Sequence, residues 1–381
     1  MFVAIFVVAL ALIILIHELG HFVTARMCGM KAEKFFIGFG PTLWSTQRGE
    51  TEVGVKWLPL GGFVKIAGMS PYEEYHEADR DRTYFAQPGW QRAIVISAGS
   101  ITHFVMAAVL LFAALAFIGL PPEDEPARNE IARVVEGEPA EQAGLEAGDE
   151  IVAVDGEATP DFAALAAAIE PRPGEQVRLT VERGDGTRQV TVTLEEHPED
   201  PGNGYLGFAP ARPAHQPLGL ADAAVATVSG DTSLPRITVV SVSAVAQALS
   251  PEGLAEWFGT FDEGERSDEG LISPVGAGQI VAALGDRGAF FSILLILVEF
   301  NIIIGVLNML PLPPLDGGHF AVVLVEGAVN TLRRARGVAG QYFVDPSRLT
   351  PLALLVILFF GTVFLSALYL DLVKPASQLV N

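Results

Sequence analysis

Four long apolar segments constrain the fold of this chain more than any other feature. They cover approximately residues 2–24, 93–119, 289–312 and 349–371. A helix that crosses a bilayer needs roughly 20 predominantly apolar residues, and every one of these segments is long enough. The first segment lacks the basic start and small-residue cleavage site of a signal peptide, so we expect it to be retained. The sequence therefore predicts a polytopic α-helical membrane protein with four transmembrane helices.

The positions of the basic residues indicate how the chain is oriented. Nine of the 24 Lys and Arg residues fall between positions 26 and 92, and four arginines follow the third apolar segment, within 313–348. Positively charged residues in short loops tend to stay in the cytoplasm. We therefore expect both of these segments on the cytoplasmic side of a bacterial plasma membrane, with both termini and the long segment 120–288 outside.

The apolar segments divide the chain into nine parts. We expect transmembrane helix 1 at 1–25, a cytoplasmic loop with a membrane-associated β-region at 26–92, transmembrane helix 2 at 93–119, a compact α+β domain at 120–210, a partly helical linker region at 211–288, transmembrane helix 3 at 289–320, a second cytoplasmic loop at 321–348, transmembrane helix 4 at 349–371 and a tail at 372–381. The alternating pattern of 33–66 indicates strands, and Gly184-Asp185-Gly186 indicates the turn of a hairpin.

Charge and cysteine content exclude two kinds of partner. Segment 120–288 contains 31 of the 45 acidic residues and 10 of the 24 basic ones, which gives it a net charge of −21, the value of the whole chain. So acidic a surface argues against binding to nucleic acid. Cys28 is the only cysteine, so no intramolecular disulfide can form.

The first apolar segment contains His17-Glu18-Leu19-Gly20-His21. Positions i and i+4 of a helix share one face, so both imidazoles can reach one metal ion. Glu18 lies between them and can accept a proton from a metal-bound water. Two histidines that only hydrogen-bond to neighbouring helices are the alternative, but that arrangement gives Glu18 no role. Ionisable groups at membrane depth are costly and indicate function.

A third ligand is expected near the inner end of the third apolar segment. A catalytic zinc has three protein ligands and keeps one position open for water. Asp316 lies in the run "NMLPLPPLDGGHF" at 308–320, after its three prolines, and such irregular backbone is tolerated in membranes where it lines a cavity. Asp316 is therefore the preferred ligand. A helix-capping role for Asp316 and ligation by His319 are the alternatives.

These motifs together resemble the site-2 protease family of intramembrane zinc metalloproteases, in the bacterial branch that cleaves anti-sigma factors. The resemblance rests on "HELGH", "GFGP" at 38–41, "PLGGFVKI" at 59–66, the PDZ-like character of 120–210 and "NMLPLPPLDGGH". It implies one Zn²⁺ per chain, held by His17, His21 and Asp316, with Glu18 as the general base. The substrates would be single-span membrane proteins already trimmed outside the cell, anti-sigma factors above all, or signal-peptide remnants.

The resemblance also implies regions that contact the substrate. The expected residues are Gly61, Gly62, Phe63 and Val64 as an edge strand that pairs with an unwound substrate, Asn308 as a hydrogen-bonding partner of the substrate backbone, and Tyr205, Leu206, Gly207 and Phe208 as the carboxylate-binding loop of the PDZ-like domain. An ordinary hairpin, a helix-capping asparagine and a domain that filters substrates by size are the respective alternatives.

One stretch departs from the pattern of the family. Many members have Gly-Pro-x-x-Asn in the second span, whereas this chain has Gly99-Ser100-Ile101-Thr102-His103. His103 could replace the polar function of the asparagine, line the substrate path or perturb the metal site, and the sequence does not choose among these.

Two other functions compete with proteolysis. A non-enzymatic receptor or scaffold would depend on the loop Tyr205–Phe208 and tolerate changes at Glu18. A metal transporter or sensor would need further ligands along a path through several spans, and apart from His103 and Glu299 the spans contain few.

Overall fold

The computed structural model describes the 381 residues apart from 121–127, 136, 185, 199, 212–214, 260, 262–270, 287 and 378–381. The chain forms two compact units. One, the membrane unit, combines Met1–Ala116 with Gly219–Asn381, and the other, the central unit, is Phe117–Leu218.

Helices dominate the membrane unit, and short strands dominate the central unit. In chain order the elements are α1 (Phe2–Met27), β1 (Ala32–Arg48), β2 (Thr51–Ile66), α2 (Gly89–Phe117), β3 (Ile131–Val134), α3 (Pro139–Gln142), β4 (Glu150–Val154), β5 (Glu157–Ala158), α4 (Phe162–Ile169), β6 (Gln176–Arg183), β7 (Gly186–Thr193), β8 (Glu195–Glu196), β9 (Gly204–Tyr205), β10 (Phe208–Pro210), α5 (Leu220–Val228), α6 (Leu234–Ala248), α7 (Pro251–Gly259), α8 (Pro274–Asp286), α9 (Phe290–Asn308), α10 (Asp316–Ala335) and α11 (Thr350–Val373), with 3₁₀ turns at Glu77–Arg82 and Pro346–Leu349.

Four helices among the described residues are long and apolar enough to span a bilayer. They are α1, α2, α9 and α11, the last extended by the 3₁₀ turn before it. The prediction of four apolar spans is thereby confirmed. Helices α6 and α7, bent by 69° at the break between them, together pass the same test of length and composition. From the sequence, only partial helical character was expected in that region.

The third predicted span is divided at its C-terminal end. Residues 289–320 were assigned to one span with a proline-interrupted stretch, and in the structure α9 ends at Asn308 and α10 begins at Asp316. Three prolines lie between them, at 311, 313 and 314, and a proline removes a backbone donor and clashes with the preceding turn. The predicted loop 321–348 is also largely helical, because α10 continues to Ala335.

Strands β1 and β2 form one sheet in which each strand pairs twice. Residues 34–37 pair with 52–55 on one side and with 62–65 on the other, and residues 42–48 pair with 51–56. The order across the sheet is therefore 42–48, 51–58, 32–39 and 62–66. Segment 62–66 has no strand on its outer side among the described residues, so it is an edge of the sheet. The prediction of strands in 33–66 is confirmed.

The central unit is an α+β fold around its own apolar core. Its largest sheet has the order β5-β4-β6-β7, and β10 pairs with β3 in a second, two-stranded sheet. Strands β6 and β7 pair in register from Gln176 with Thr193 to Arg183 with Gly186. The predicted turn residue Asp185 lies outside the described residues. Fully buried aliphatic side chains from both sheets and from α4 form the core, among them Ile131, Ile151, Leu165 and Leu179.

Candidate metal centre

Helix α1 presents its two motif histidines to the first residue of α10. Nε2 of His17 and Nε2 of His21 lie 3.2 Å apart. Oδ2 of Asp316 lies 3.4 Å from Nε2 of His17 and 3.2 Å from Nε2 of His21. The structure thus brings together the three predicted ligands, and they are the one group of at least three His, Cys, Asp or Glu residues among the described residues that could hold a metal ion.

The triangle of these three atoms fits a zinc ion. Tetrahedral zinc with bonds of about 2.0–2.1 Å separates neighbouring ligand atoms by roughly 3.3 Å, and the observed edges are 3.2, 3.2 and 3.4 Å. Oδ2 of Asp316 is buried and accepts no hydrogen bond in the described part of the chain. Three lone-pair donors that converge at this separation repel one another unless a cation lies between them.

A backbone carbonyl of α2 orients His21. Nδ1 of His21 lies 2.8 Å from the carbonyl oxygen of Val95, so this nitrogen carries the proton and donates it. Nε2 is then unprotonated and directs its lone pair at the site. Metal-ligating histidines almost always have such a partner on their other ring nitrogen. His21 therefore has the tautomer that zinc ligation requires.

Gly99 on α2 allows the histidines to approach that helix. A Cβ at this position would overlap Nε2 of His21 and would lie 2.5 Å from Cε1 and 2.8 Å from Nδ1 of His17. Gly20, between the two histidines on α1, has the same effect, because a Cβ there would lie 2.8 Å from Cγ2 of Thr102 on α2. From the sequence, Gly99 was singled out only as part of a family motif. The run of small residues Ala98-Gly99-Ser100 in this span could have indicated that another helix approaches closely there.

Glu18 lies outside the ligand triangle and faces the edge strand. A Cβ on Gly62 would lie 2.8 Å from Cγ of Glu18 and 2.9 Å from the carbonyl oxygen of Phe36. Only a glycine therefore fits between the carboxylate and the neighbouring strand. The carboxylate is placed beside the metal site and beside the strand that was predicted to bind substrate.

The other candidate residues of the membrane unit lie outside the group of three ligand atoms. Asn308 is the last residue of α9, and His319 lies one turn after Asp316 on α10, outside the group of ligand atoms. His103 is 2% exposed and contacts His17. Glu299 is exposed on α9. The alternative function of metal transport would need further groups of metal ligands, and the described residues contain none besides His17, His21 and Asp316.

The predicted carboxylate-binding loop lies in the central unit. Leu206 is buried in the core at 3% exposure, and Gly207 has a φ of +78°, which favours glycine. Phe208 on β10 packs edge-on against Phe162 of α4, with ring centroids 6.2 Å apart. Tyr205, on β9, packs against His197. The side of β10 away from β3 has no strand partner among the described residues.

Comparisons with known proteins show the family of the chain. The sequence profile of peptidase family M50 matches residues 5–345. The chain belongs to this family, the site-2 proteases, and it is a zinc metalloprotease whose cofactor is Zn²⁺.

Similar proteins extend over the whole chain. The zinc metalloprotease Rip1 of Mycobacterium tuberculosis is 35% identical over 402 residues, which cover 98% of this chain and 97% of that protein. Rip1 of Mycolicibacterium smegmatis is 32% identical and covers 98% of each chain. Among solved structures, the PDZ domain of an SdrC-like protein from Listeria monocytogenes covers 23% of this chain and 92% of that domain, with 22% identity and a TM-score of 0.20.

Proposed function

We propose that this zinc metalloprotease cleaves single-span membrane proteins within or near the bilayer. In this proposal His17, His21 and Asp316 hold the zinc ion and Glu18 is the general base. The observation that carries it is the convergence of three lone-pair donors, 3.2–3.4 Å apart, where the apolar helix α1 meets the first residue of α10. A metal site at this depth exists for chemistry on a substrate that is itself in the membrane.

The protein's residues divide the work of peptide hydrolysis. Zinc, when bound, lowers the pKa of its water ligand to about 7 and polarises the scissile carbonyl. Glu18 accepts the proton of that water and delivers it to the leaving nitrogen. The close fit of Gly62 against Cγ of Glu18 restricts where the carboxylate can point. This restriction keeps the base beside the metal ligands.

Edge segment 62–66 supplies backbone partners for the substrate. A transmembrane helix must unwind before its peptide bonds can be cut, and its freed backbone groups need hydrogen bonds within the membrane. An edge strand can provide them by β-augmentation. In this proposal Gly61, Gly62, Phe63 and Val64 bind the unwound segment. The contact between Gly62 and Glu18 supports this, because a strand bound there passes the general base.

Asn308 is proposed to hydrogen-bond the substrate backbone from the opposite side. It ends α9, eight positions before Asp316, where the chain leaves the helix and its polar groups become free.

The physiological substrate is proposed to be an anti-sigma factor whose exterior part has already been removed. The chain would be oriented with the central unit and both termini outside the cell and with the active site near the cytoplasmic face of the bacterial plasma membrane. Loop residues Tyr205, Leu206, Gly207 and Phe208 would bind a newly exposed C-terminus. The unpaired side of β10 supports this proposal, because an extended C-terminus can add there as a strand.

Substitution of the general base tests the proposal directly. Wild-type protein and Glu18→Gln are reconstituted in liposomes with a single-span substrate that lacks its exterior domain. Glu299→Gln is the matched control, since it makes the same chemical change at an exposed site of another span. We expect wild type and control to cut within the span, and Glu18→Gln to retain zinc without cutting.

Two outcomes would refute parts of this account. Equal cutting by Glu18→Gln and wild type would remove Glu18 from the mechanism. Zinc-loaded protein that cuts none of several substrates, yet loses partner binding when Phe208→Ala is introduced, would favour the scaffold function.

A further inference from the structure

His103 lies at the back of the metal site, on the α2 segment that contacts both metal-ligating histidines. Its imidazole is 2% exposed. The ring centroid lies 5.0 Å from that of His17, with the two planes tilted by 40°. His103 is therefore in direct contact with a proposed ligand, although it is not part of the ligand triangle.

Asn301 of α9 fixes the orientation of His103. The amide Nδ2 of Asn301, which is fully buried, donates to the carbonyl oxygen of Leu297 at 2.8 Å. Its Oδ1 must then face His103, whose Nδ1 lies 3.1 Å away. Since Oδ1 can only accept, Nδ1 of His103 is the donor. The hydrogen bond therefore sets both the tautomer and the plane of the His103 ring.

His17 needs such support more than His21 does. His21 donates from Nδ1 to the carbonyl of Val95, whereas Nδ1 of His17 is buried and makes no hydrogen bond within the described part of the chain. The carbonyl oxygen of Gly99, which lies near the His17 ring, also accepts from Oγ1 of Thr102 at 2.6 Å, so His17 has no acceptor of its own of the kind that Val95 gives His21. The orientation of the His17 ring consequently depends on the groups packed against it.

We propose that His103 is a positioning residue for His17, and that Asn301 holds it in that role. The ring of His103 limits rotation of the His17 imidazole and so directs the Nε2 lone pair of His17 at the metal. This inference rests on the ligand set of the proposed function. It also gives a role to the residue at which the chain departs from the family motif.

Metal release from the full-length protein in detergent provides the test. Co²⁺ replaces zinc, because its visible absorption reports ligand geometry independently of proteolysis. The variants are His103→Ala, Asn301→Ala and the double variant. Phe104→Leu is the matched control, since Phe104 also lies between α2 and α9, where it approaches Gly305.

Loss of a group that supports a metal ligand weakens metal binding by roughly 10–100-fold. We expect each single variant to release Co²⁺ to a chelator about 10–100 times faster than wild type and to show an altered spectrum. The double variant should lose no more than His103→Ala alone, because the two residues act in one chain of contacts. Phe104→Leu should behave as wild type.

A further variant covers the case in which His103→Ala does not fold. His103→Gln keeps a donor for Asn301 but removes the ring beside His17, so it should still release Co²⁺ faster. Wild-type spectra and release rates in His103→Gln and Asn301→Ala would overturn the inference, as would equal losses in Phe104→Leu. If wild-type protein itself binds no Co²⁺, the ligand set fails, and this result is distinguishable from the others.

Discussion

Two carboxylates on α10, one half-buried and one buried, have opposite environments. Asp316, at the first position of the helix, meets two imidazole nitrogens and accepts no hydrogen bond at Oδ2 among the described residues. Glu326, ten positions later, accepts from Nη1 of Arg92 at 2.8 Å and from the backbone amide of Val344 at 2.8 Å. Both are packed against residues from other helices, yet only Glu326 has its charge matched.

The difference separates a metal site from a structural ion pair. Arg92 is 6% and Glu326 4% exposed, and the guanidinium also lies 4.8 Å from the ring centre of Tyr84. Such a pair is electrically complete and holds α2 and α10 together. The group at Asp316 consists only of lone-pair donors and is complete only with a cation. Burial alone therefore does not identify a carboxylate as a metal ligand. A carboxylate oxygen that faces other lone pairs and no hydrogen-bond donor is the feature that indicates a metal site.

Asp316→Asn should have the largest effect. The amide removes one of three ligands and its charge, so bound zinc should fall from one per chain to near zero, and proteolysis should disappear with it. Metal analysis of the purified protein measures this. Glu326→Gln is the matched control and should retain stoichiometric zinc. Zinc loss in both variants would mean that the two carboxylates do not differ in the way described.

Glu326→Gln should instead affect stability. It leaves the buried guanidinium of Arg92 without a counter-charge, and breaking a buried pair by removal of one partner costs about 3–5 kcal/mol. Unfolding of the detergent-solubilised protein measures the change. Replacement of both partners, as Arg92→Met with Glu326→Leu, should recover most of the loss. A double variant as unstable as the single one would show that the pair has a role beyond charge balance.

Gly99→Ala should weaken metal binding without removing a ligand. The added methyl group would overlap Nε2 of His21 and crowd the His17 ring, so the imidazoles must move. We expect zinc affinity to fall by roughly 10–100-fold, as for other changes behind a ligand. Gly361→Ala on α11 is the control, because nothing lies within 4 Å of its Cβ position. An unchanged affinity in Gly99→Ala would contradict the close approach of α1 and α2.

The smallest expected effect concerns a third carboxylate, in the central unit. The guanidinium of Arg183 holds the pKa of Asp149 below its usual range. The ionised carboxylate therefore stabilises the folded unit above the unfolded-state pKa of about 3.9, and this contribution is lost as the pH falls through the lower folded-state pKa.

Hydrogen exchange of the full chain measures this pH dependence. Protection factors in β4 and β6 should fall as the pH drops from 5 to 2.5, because the unfolded chain binds a proton at Asp149 more readily than the folded unit does. Asp149→Asn should show low protection that varies little over this range, while Glu157→Gln on β5 should match wild type. A full pH dependence in Asp149→Asn would assign the effect to other carboxyls.

Parts of this account follow from the sequence alone, because they rest on periodicity and chemistry. The i, i+4 spacing of His17 and His21 predicts a shared metal ion, and the apolar lengths predict four spans. The prolines before Asp316 predict an irregular stretch, but a hydropathy pattern does not show at which residue the helix ends. The contacts of Gly99 and the pairing of Arg92 with Glu326 depend on helices distant in sequence, so no local pattern indicates them.

X-ray absorption at the zinc edge of the full-length protein in detergent examines whether His17, His21 and Asp316 hold the zinc ion. We expect two imidazole nitrogens and carboxylate or water oxygens at about 2.0–2.2 Å. This ligand shell should be altered in Asp316→Asn reconstituted at high zinc and unchanged in Glu326→Gln. A shell with fewer than two imidazoles, or one that Asp316→Asn leaves unaltered, would contradict this assignment.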